Sequence, residues 1–146
     1  KNGHLFIVEW LHANRHEGCL PAAMDMASIG GHLPVVEWLH ARRSEGCTSV
    51  AIGAAAQLGN LRMVEFLHAN RSEDCLRLVD ERGEFPPGED TLVHPAFSQP
   101  TIMLASASGH LRVVEWLHVH RSEGCNNLAM DWAAENGHLA VVRWLH

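Results

Sequence analysis

Histidine and cysteine, two residue types that bind metals and act as nucleophiles, recur in this chain at a fixed separation. Four histidines are each followed by a cysteine seven residues later: His12 and Cys19, His40 and Cys47, His68 and Cys75, His118 and Cys125. Thiolate and imidazole are typical zinc ligands, and a thiol beside an imidazole is the arrangement of a cysteine nucleophile. A zinc site needs four ligands, usually in closely spaced pairs, whereas this spacing supplies at most two per copy. An active site is also unique to one place, so we predict no catalytic residue, no metal and no cofactor, and the protein is not expected to be an enzyme.

These residues belong to a longer segment that repeats along the chain. The copies are GHLFIVEWLHANRHEGC, GHLPVVEWLHARRSEGC, GNLRMVEFLHANRSEDC, GHLRVVEWLHVHRSEGC and GHLAVVRWLH, which start at 3, 31, 59, 109 and 137. Three of the four offsets are 28 residues and one is 50. A period of this size is typical of stacked arrays, in which each unit buries its apolar face against its neighbours. A metal-responsive array built from the histidines and cysteines stays open as an alternative.

Each unit reads as two helices joined by a turn. Leu33, Val36 and Leu39 have helical spacing, which predicts a helix from about His32 to Arg42. A shorter segment precedes each copy of this helix and carries a central pair of small residues that permits close packing. The glycine after it suits a left-handed helix end, and Ser49, Ser98 and Asn127 stand at expected N-caps. The short segments are AAMDMASIG from Ala22, VAIGAAAQL from Val50, PTIMLASAS from Pro100 and LAMDWAAEN from Leu128.

LAMDWAAENGHLAVVRWLH and VAIGAAAQLGNLRMVEFLH resemble the ankyrin-repeat family, whose usual pattern is T-P-L-H-x-A-A-x-x-G-H-L-x-V-V. The resemblance covers the chain except for roughly residues 76 to 98. The short period and the WLH and NRxEGC motifs are similar to arrays of oomycetes and large DNA viruses. The period is five residues below the family's usual value of about 33. The missing residues fall where the family has its β-hairpin finger. The resemblance therefore implies an all-α, ankyrin-like solenoid of about four helix-turn-helix repeats with shortened or absent β-hairpin fingers.

Composition limits the possible partners and location. The 146 residues are 47% hydrophobic and carry a net charge of −6, so we expect one array over 1–146 and no nucleic-acid partner. No apolar run approaches the roughly 20 residues that cross a bilayer, so no membrane association is expected. Cysteines one repeat apart, with packed helices about 10 Å apart, exceed the Cα separation of about 7 Å that a disulfide allows. Reduced thiols suit a cytoplasmic location.

Two histidine series and one aromatic series also follow the repeat. His4, His32, His110 and His138 follow the turn glycine, where the resemblance implies hydrogen bonds that tie one turn to the next, with Asn60 in the same role. The second series is expected to be partly buried with backbone partners: His12, His40, His68, His118 and His146. The aromatic series is expected to interdigitate between second helices: Trp10, Trp38, Phe66, Trp116 and Trp144.

Ankyrin repeats bind proteins through finger tips and the exposed side of the first helix, so the resemblance implies a non-enzymatic scaffold that binds a protein partner. With short fingers, recognition falls on variable first-helix positions. These are Met26, Ile29, Gln57, Leu58, Leu104, Ala107, Trp132, Glu135 and Asn136. Trp132 is the best single candidate if its side chain is exposed, because an aromatic ring supplies a large contact area; packing against the adjacent helix is the alternative. A second possible function is the targeting module of a larger enzyme or ubiquitin-ligase adaptor.

An irregular insertion at 76–98 interrupts the third repeat. It makes this interval 22 residues longer than in the other copies and contains Pro86, Pro87 and Pro95. A binding loop, a passive insertion and translated intron sequence are the three interpretations, and a passive or artefactual insertion is favoured. Leu139, Val142 and Trp144 are expected to expose apolar surface at the C-terminal edge, so we expect the array to continue into further repeats.

Overall fold

The computed structural model of the chain describes residues 5–14, 22–42, 47–70, 101–121 and 127–146. Within these ranges every regular element is a helix, which confirms the predicted all-α class. Helix α3 begins one residue after the predicted start and ends at Arg42 as predicted. The predicted loss of β-hairpin fingers concerns segments that lie largely outside the described residues. The helices are α1 (Leu5–Asn14), α2 (Ala22–Ile29), α3 (Leu33–Arg42), α4 (Ser49–Gln57), α5 (Leu61–Asn70), α6 (Thr101–Ala107), α7 (Leu111–His120), α8 (Asn127–Glu135) and α9 (Leu139–Leu145).

The turn inside each hairpin is a Schellman motif, and Gly109 shows how it works. Gly109 has φ +76°, a left-handed conformation that glycine adopts without steric cost. Its N–H donates to the carbonyl of Ser106 at 3.1 Å, and the N–H of His110 donates to the carbonyl of Ala105 at 3.0 Å. These two bonds satisfy carbonyls at the end of α6 that would otherwise lack partners. The same pair of bonds, with a positive φ, occurs at Gly31, Gly59 and Gly137.

The first helices do not all start where the sequence suggested. The N-cap of α4 is Thr48, whose hydroxyl accepts a hydrogen bond from the N–H of Val50 at 3.2 Å. The expectation that Ser49 is the cap is therefore wrong, and Ser49 is the first residue of the helix. Asn127 is likewise the first residue of α8, and Ser98 lies outside the described residues.

The hairpins stack in two layers. In the first layer α2 packs on α4, α4 on α6 and α6 on α8; in the second layer α1 contacts α3, α5 contacts α7 and α7 contacts α9. Helices α4 and α6 pack against each other, although residues 71–100 lie between α5 and α6 in the sequence. The predicted insertion at 76–98 lies outside the described residues, but the repeats on its two sides pack directly on each other.

A single core runs through the stack. Buried residues of all four hairpins belong to one apolar cluster. An alanine stands four residues before each turn glycine, and Ala55, Ala105 and Ala133 are fully buried there. Beside them, the buried hydroxyls of Ser28 and Ser106 donate to the carbonyls four residues earlier, at 2.9 Å and 2.8 Å. The predicted pair of small residues therefore lets neighbouring first helices approach closely.

Candidate protein-binding surface

The variable first-helix positions fall into two groups with different surroundings. One group, which we name the variable strip, consists of the last residue of each first helix and the residue that follows it. Most of its side chains are exposed, including Gln57 and Leu58 in an inner repeat, and Ala107 and Ser108 are half-buried. The full strip is Ile29, Gly30, Gln57, Leu58, Ala107, Ser108, Glu135 and Asn136. Because its residues are exposed at α4 and half-buried at α6, the strip stays accessible to solvent along the stack.

Turn histidines fix the backbone of the strip between repeats. The Nε2 of His110 donates to the carbonyl of Gln57 at 3.0 Å, and the Nε2 of His138 donates to the carbonyl of Ala107 at 3.1 Å. The predicted tie between neighbouring turns is therefore confirmed for these two histidines. Asn60 acts differently, because its Oδ1 accepts from the N–H of Met63 and so caps its own helix at 3.2 Å. These hydrogen bonds anchor the backbone of the strip to the following repeat, which lowers the entropy cost of ordering the strip when a partner binds.

The second group, represented by Met26, Leu104 and Trp132, occupies one position of the repeat that faces a neighbouring first helix. Leu104 is only 4% exposed and Ala54, at the same position, is 2% exposed. Leu104 must therefore be removed from the predicted binding residues, because packing between first helices covers it. Met26 is 59% exposed, since no described helix packs on that side of α2. Trp132 is half-buried, so it keeps an accessible edge and also packs against the stack.

On the outer layer, histidine and aromatic side chains alternate from one repeat to the next. His118 and Trp144 have ring centroids 5.1 Å apart in a T-shaped arrangement. His12 with Trp38, His40 with Phe66 and His68 with Trp116 repeat this geometry at 5.1–5.6 Å. The four histidines are exposed, so the expectation that they are partly buried is wrong. The aromatic rings are half-buried in inner repeats, and Trp10 and Trp144 are exposed, so this series lies at the edge of the core rather than inside it.

A buried carboxylate links two repeats in a way that sequence reasoning missed. Asp25 of α2 is buried, and its Oδ1 and Oδ2 accept from the backbone N–H and the hydroxyl of Thr48, at 2.9 Å and 2.6 Å. Thr48 is the N-cap of the next first helix. The only signal in the sequence was that Asp25 and Asp131 occupy the same repeat position, six residues before the turn glycine. We name this interaction the carboxylate clamp.

The residues that first suggested chemistry are dispersed along the stack. Among the described residues, no group of three or more His, Cys, Asp or Glu side chains is arranged to hold a metal. Cys47 is buried, and Cys19, Cys75 and Cys125 lie outside the described residues. Arg121, directly after α7, donates through its Nη1 to the hydroxyl of Thr101 at 3.1 Å.

The stacked helix-turn-helix units, with left-handed glycine turns and histidine ties, define a helical repeat protein. Residues 102–146 match the family model described as ankyrin repeats (many copies). The same helix-turn-helix unit recurs at the earlier turns, so the described hairpins share the architecture of the segment that is similar to ankyrin repeats. A comparison with the curated proteins finds no match.

Ankyrin repeats generally mediate protein–protein interaction and are generally not enzymes. None of the helices that the structure describes combines the length and the apolar content that crossing a membrane requires.

Proposed function

We propose that this protein is a non-enzymatic scaffold that binds a partner protein along the variable strip. The observation that carries the proposal is that the strip is exposed at both ends and in the inner repeat of α4, and half-buried in that of α6, while its residues differ from repeat to repeat. The turn glycine and the alanine four residues before it are the same in all four described turns, whereas Ile29, Gln57, Ala107 and Glu135 share one register and differ in chemistry. Such a surface discriminates between partners without weakening the stack.

The chemistry of the strip narrows the kind of partner. Ile29 and Leu58 make one end apolar, and Glu135 and Asn136 make the other end acidic and rich in hydrogen-bonding groups. A partner segment with an apolar end and a basic or donor-rich end complements this gradient. Trp132, beside the acidic end, adds an aromatic edge. Met26 extends the apolar end on the side of α2 that no described helix covers.

We further propose that the protein acts in the cytoplasm, where the cysteines of the repeats stay reduced. Of the apolar residues expected to be exposed at the C-terminal edge, Leu139 and Trp144 are exposed and Val142 is half-buried. A role as the targeting module of a larger enzyme or ubiquitin-ligase adaptor stays a prediction, because no described feature favours it.

Site-specific photo-crosslinking tests the binding surface. We would place a benzoylphenylalanine at Gln57 in the strip and, as the matched control, at exposed Arg62 on the outer side of α5. In extract of the cells that produce the protein, the Gln57 probe is expected to crosslink a discrete protein that the Arg62 probe does not. Leu58→Asp should abolish this adduct without changing the unfolding midpoint. Equal crosslinking from both positions, or an adduct that survives Leu58→Asp, would contradict the proposal.

A further inference from the structure

One histidine of the outer layer stands where α1, α3 and α5 have other residue types. His120 ends α7, and the residues at its position in the earlier second helices are Asn14, Arg42 and Asn70. It therefore belongs to neither histidine series, and the repeated histidines and cysteines on which the expectation of no metal rests do not include it. The architecture of the repeat alone does not explain an imidazole at this position.

The ring of His120 is held in the orientation and the tautomer of a metal ligand. Its Nδ1 lies 2.8 Å from the carbonyl oxygen of Trp116, which can only accept, so Nδ1 carries a proton and donates the hydrogen bond. The neutral ring then keeps a lone pair on Nε2. The ring also stacks on the indole of Trp116, with centroids 4.2 Å apart and planes inclined by 12°. Metal-binding histidines are usually held in this way, with one ring nitrogen donating to a carbonyl and the other facing the ion.

A second imidazole, from the preceding repeat, lies beside this ring. His68, in the last turn of α5, has its ring centroid 6.3 Å from that of His120, with an angle of 74° between the planes. The indole of Trp116 contacts both rings, because His68 meets it in a T-shaped arrangement at 5.1 Å. Both histidines are exposed and lie in the last turns of their helices, where the helix dipoles favour a cation. Two imidazoles of adjacent repeats are therefore placed together at one accessible point.

The separation of the two rings suits a shared metal ion. With Zn–N bonds of about 2.0–2.1 Å, two imidazoles on one tetrahedral ion have centroids about 5 Å apart. A shift of the exposed His68 ring by about 1 Å brings the pair from 6.3 Å to that separation. Imidazole suits zinc, copper and nickel, whereas calcium and magnesium require oxygen ligands. The arrangement is that of an open site with two protein ligands.

We propose that His68 and His120 together bind a divalent transition metal ion between α5 and α7, with water completing its coordination. The site differs from the histidine–cysteine pairs within each repeat, because it joins two histidines of different repeats. The bound ion links the repeats on the two sides of residues 71–100 and stabilises their packing. Because both ligands lie on second helices, the site is separate from the variable strip.

Nuclear magnetic resonance of the histidine ring nitrogens, during titration with Zn(II) under reducing conditions, tests the site residue by residue. Zn(II) is the probe because it is diamagnetic and does not oxidise cysteine. We expect the Nε2 resonance of His120 and one ring-nitrogen resonance of His68 to shift together, with a single dissociation constant. The Nδ1 resonance of His120 is expected to shift much less, because this atom stays bonded to the carbonyl of Trp116.

His120→Asn is the sharpest variant, because Asn14 and Asn70 make the same hydrogen bond to the carbonyl four residues earlier. The variant keeps this bond and removes only the imidazole. It is expected to weaken Zn(II) binding at His68 at least tenfold, and His68→Gln should weaken binding at His120 equally. His40→Gln is the matched control, because exposed His40 occupies the repeat position of His68 but has Asn70 where a second ring would be needed. It should change the affinity less than twofold.

The free energy of unfolding in urea, measured with and without Zn(II), tests the link between the repeats. At a Zn(II) concentration ten times the dissociation constant, binding to the folded chain lowers the unfolding equilibrium constant about tenfold. Zinc binding by cysteines is common to the original chain and the variants, so their difference isolates the site. The stabilising factor should be about fivefold smaller in His120→Asn and unchanged in His40→Gln.

Three results would overturn the inference. These are ring nitrogens of His68 and His120 that do not shift with Zn(II), two rings that bind independently of each other, and an equal loss of affinity from His40→Gln. If a variant fails to fold, the titration of the original chain still decides between a shared site and none. Crosslinking from Gln57 is measured with a chelator present, so the proposed binding function succeeds or fails independently of these outcomes.

Discussion

Replacing Gly109 with alanine separates the backbone cost of the turn from the cost of disturbing the contact between repeats. A Cβ added to Gly109 would lie 2.5 Å from Nδ1 of His138, whose Nε2 donates to the carbonyl of Ala107. Gly137 has nearly the same backbone conformation, with φ +77° against +76°, but a Cβ there meets no described atom within 4 Å. The two glycines are therefore a matched pair.

The magnitudes follow from these two environments. An alanine held in the left-handed conformation strains the folded state by about 1–2 kcal/mol. It also reduces the conformational entropy of the unfolded chain, which stabilises the folded state by about 0.4–1 kcal/mol. Gly137→Ala should therefore lower the free energy of unfolding by about 1 kcal/mol. Gly109→Ala carries the same cost. It also loses the histidine hydrogen bond, worth about 0.5–1.5 kcal/mol, and forces repacking at about 1–3 kcal/mol. We expect a total of about 3 kcal/mol for Gly109→Ala.

Urea unfolding followed by circular dichroism measures both variants. With a slope of about 2 kcal/mol per molar urea, the midpoint should fall by about 1.5 M for Gly109→Ala and by about 0.5 M for Gly137→Ala. His138→Ala, which removes the imidazole ring, completes a double-mutant cycle with Gly109→Ala. In that background Gly109→Ala should cost only about 1 kcal/mol. Equal destabilisation by the two glycine substitutions, or additive effects of Gly109→Ala and His138→Ala, would refute the reasoning.

Three further predictions test the core and the clamp in the same urea assay. Asp25→Ala should destabilise by about 2–4 kcal/mol, because it removes two hydrogen bonds to a buried charge and leaves the N-cap at Thr48 without its acceptor; a cost below about 1 kcal/mol would contradict this. Leu117→Ala should cost about 2–5 kcal/mol, because the side chain is buried, whereas Val119→Ala, at a site 75% exposed, should stay within about 0.5 kcal/mol. Ser106→Ala should be nearly neutral, because among the described residues its hydroxyl bonds only the carbonyl of Ile102 in its own helix; a loss above about 1.5 kcal/mol would show a further partner.

Much of the fold was predictable because it depends on local chemistry that repeats. The 28-residue period, the helical spacing of Val36 and its neighbours, and the glycine at each turn together predicted the hairpins. The link from His110 to the preceding turn was also predicted, through the family resemblance, and is present. The helical spacing and the turn glycine recur in every unit, so each copy supports the assignment of the others.

The exposure of the candidate binding residues was only partly predictable, because it depends on what the neighbouring repeat covers. Variability between repeats suggested Gln57 and Leu58, which are exposed, but it also suggested Leu104, which the adjacent first helices bury. Variability alone does not distinguish a residue that contacts a partner from one that adapts to its neighbour. Ser108, a further member of the variable strip, was missed although it stands in register with Leu58.

The sequence by itself determined the helical repeat, its turns and its resemblance to ankyrin repeats, since these depend on local spacing and backbone conformation. Only the tertiary structure decided which variable positions face outward, that exposed histidines contact the next aromatic ring, and that Asp25 holds Thr48. The physical reason is that these contacts join residues of different repeats. Their burial and partners exist only when the stack is assembled.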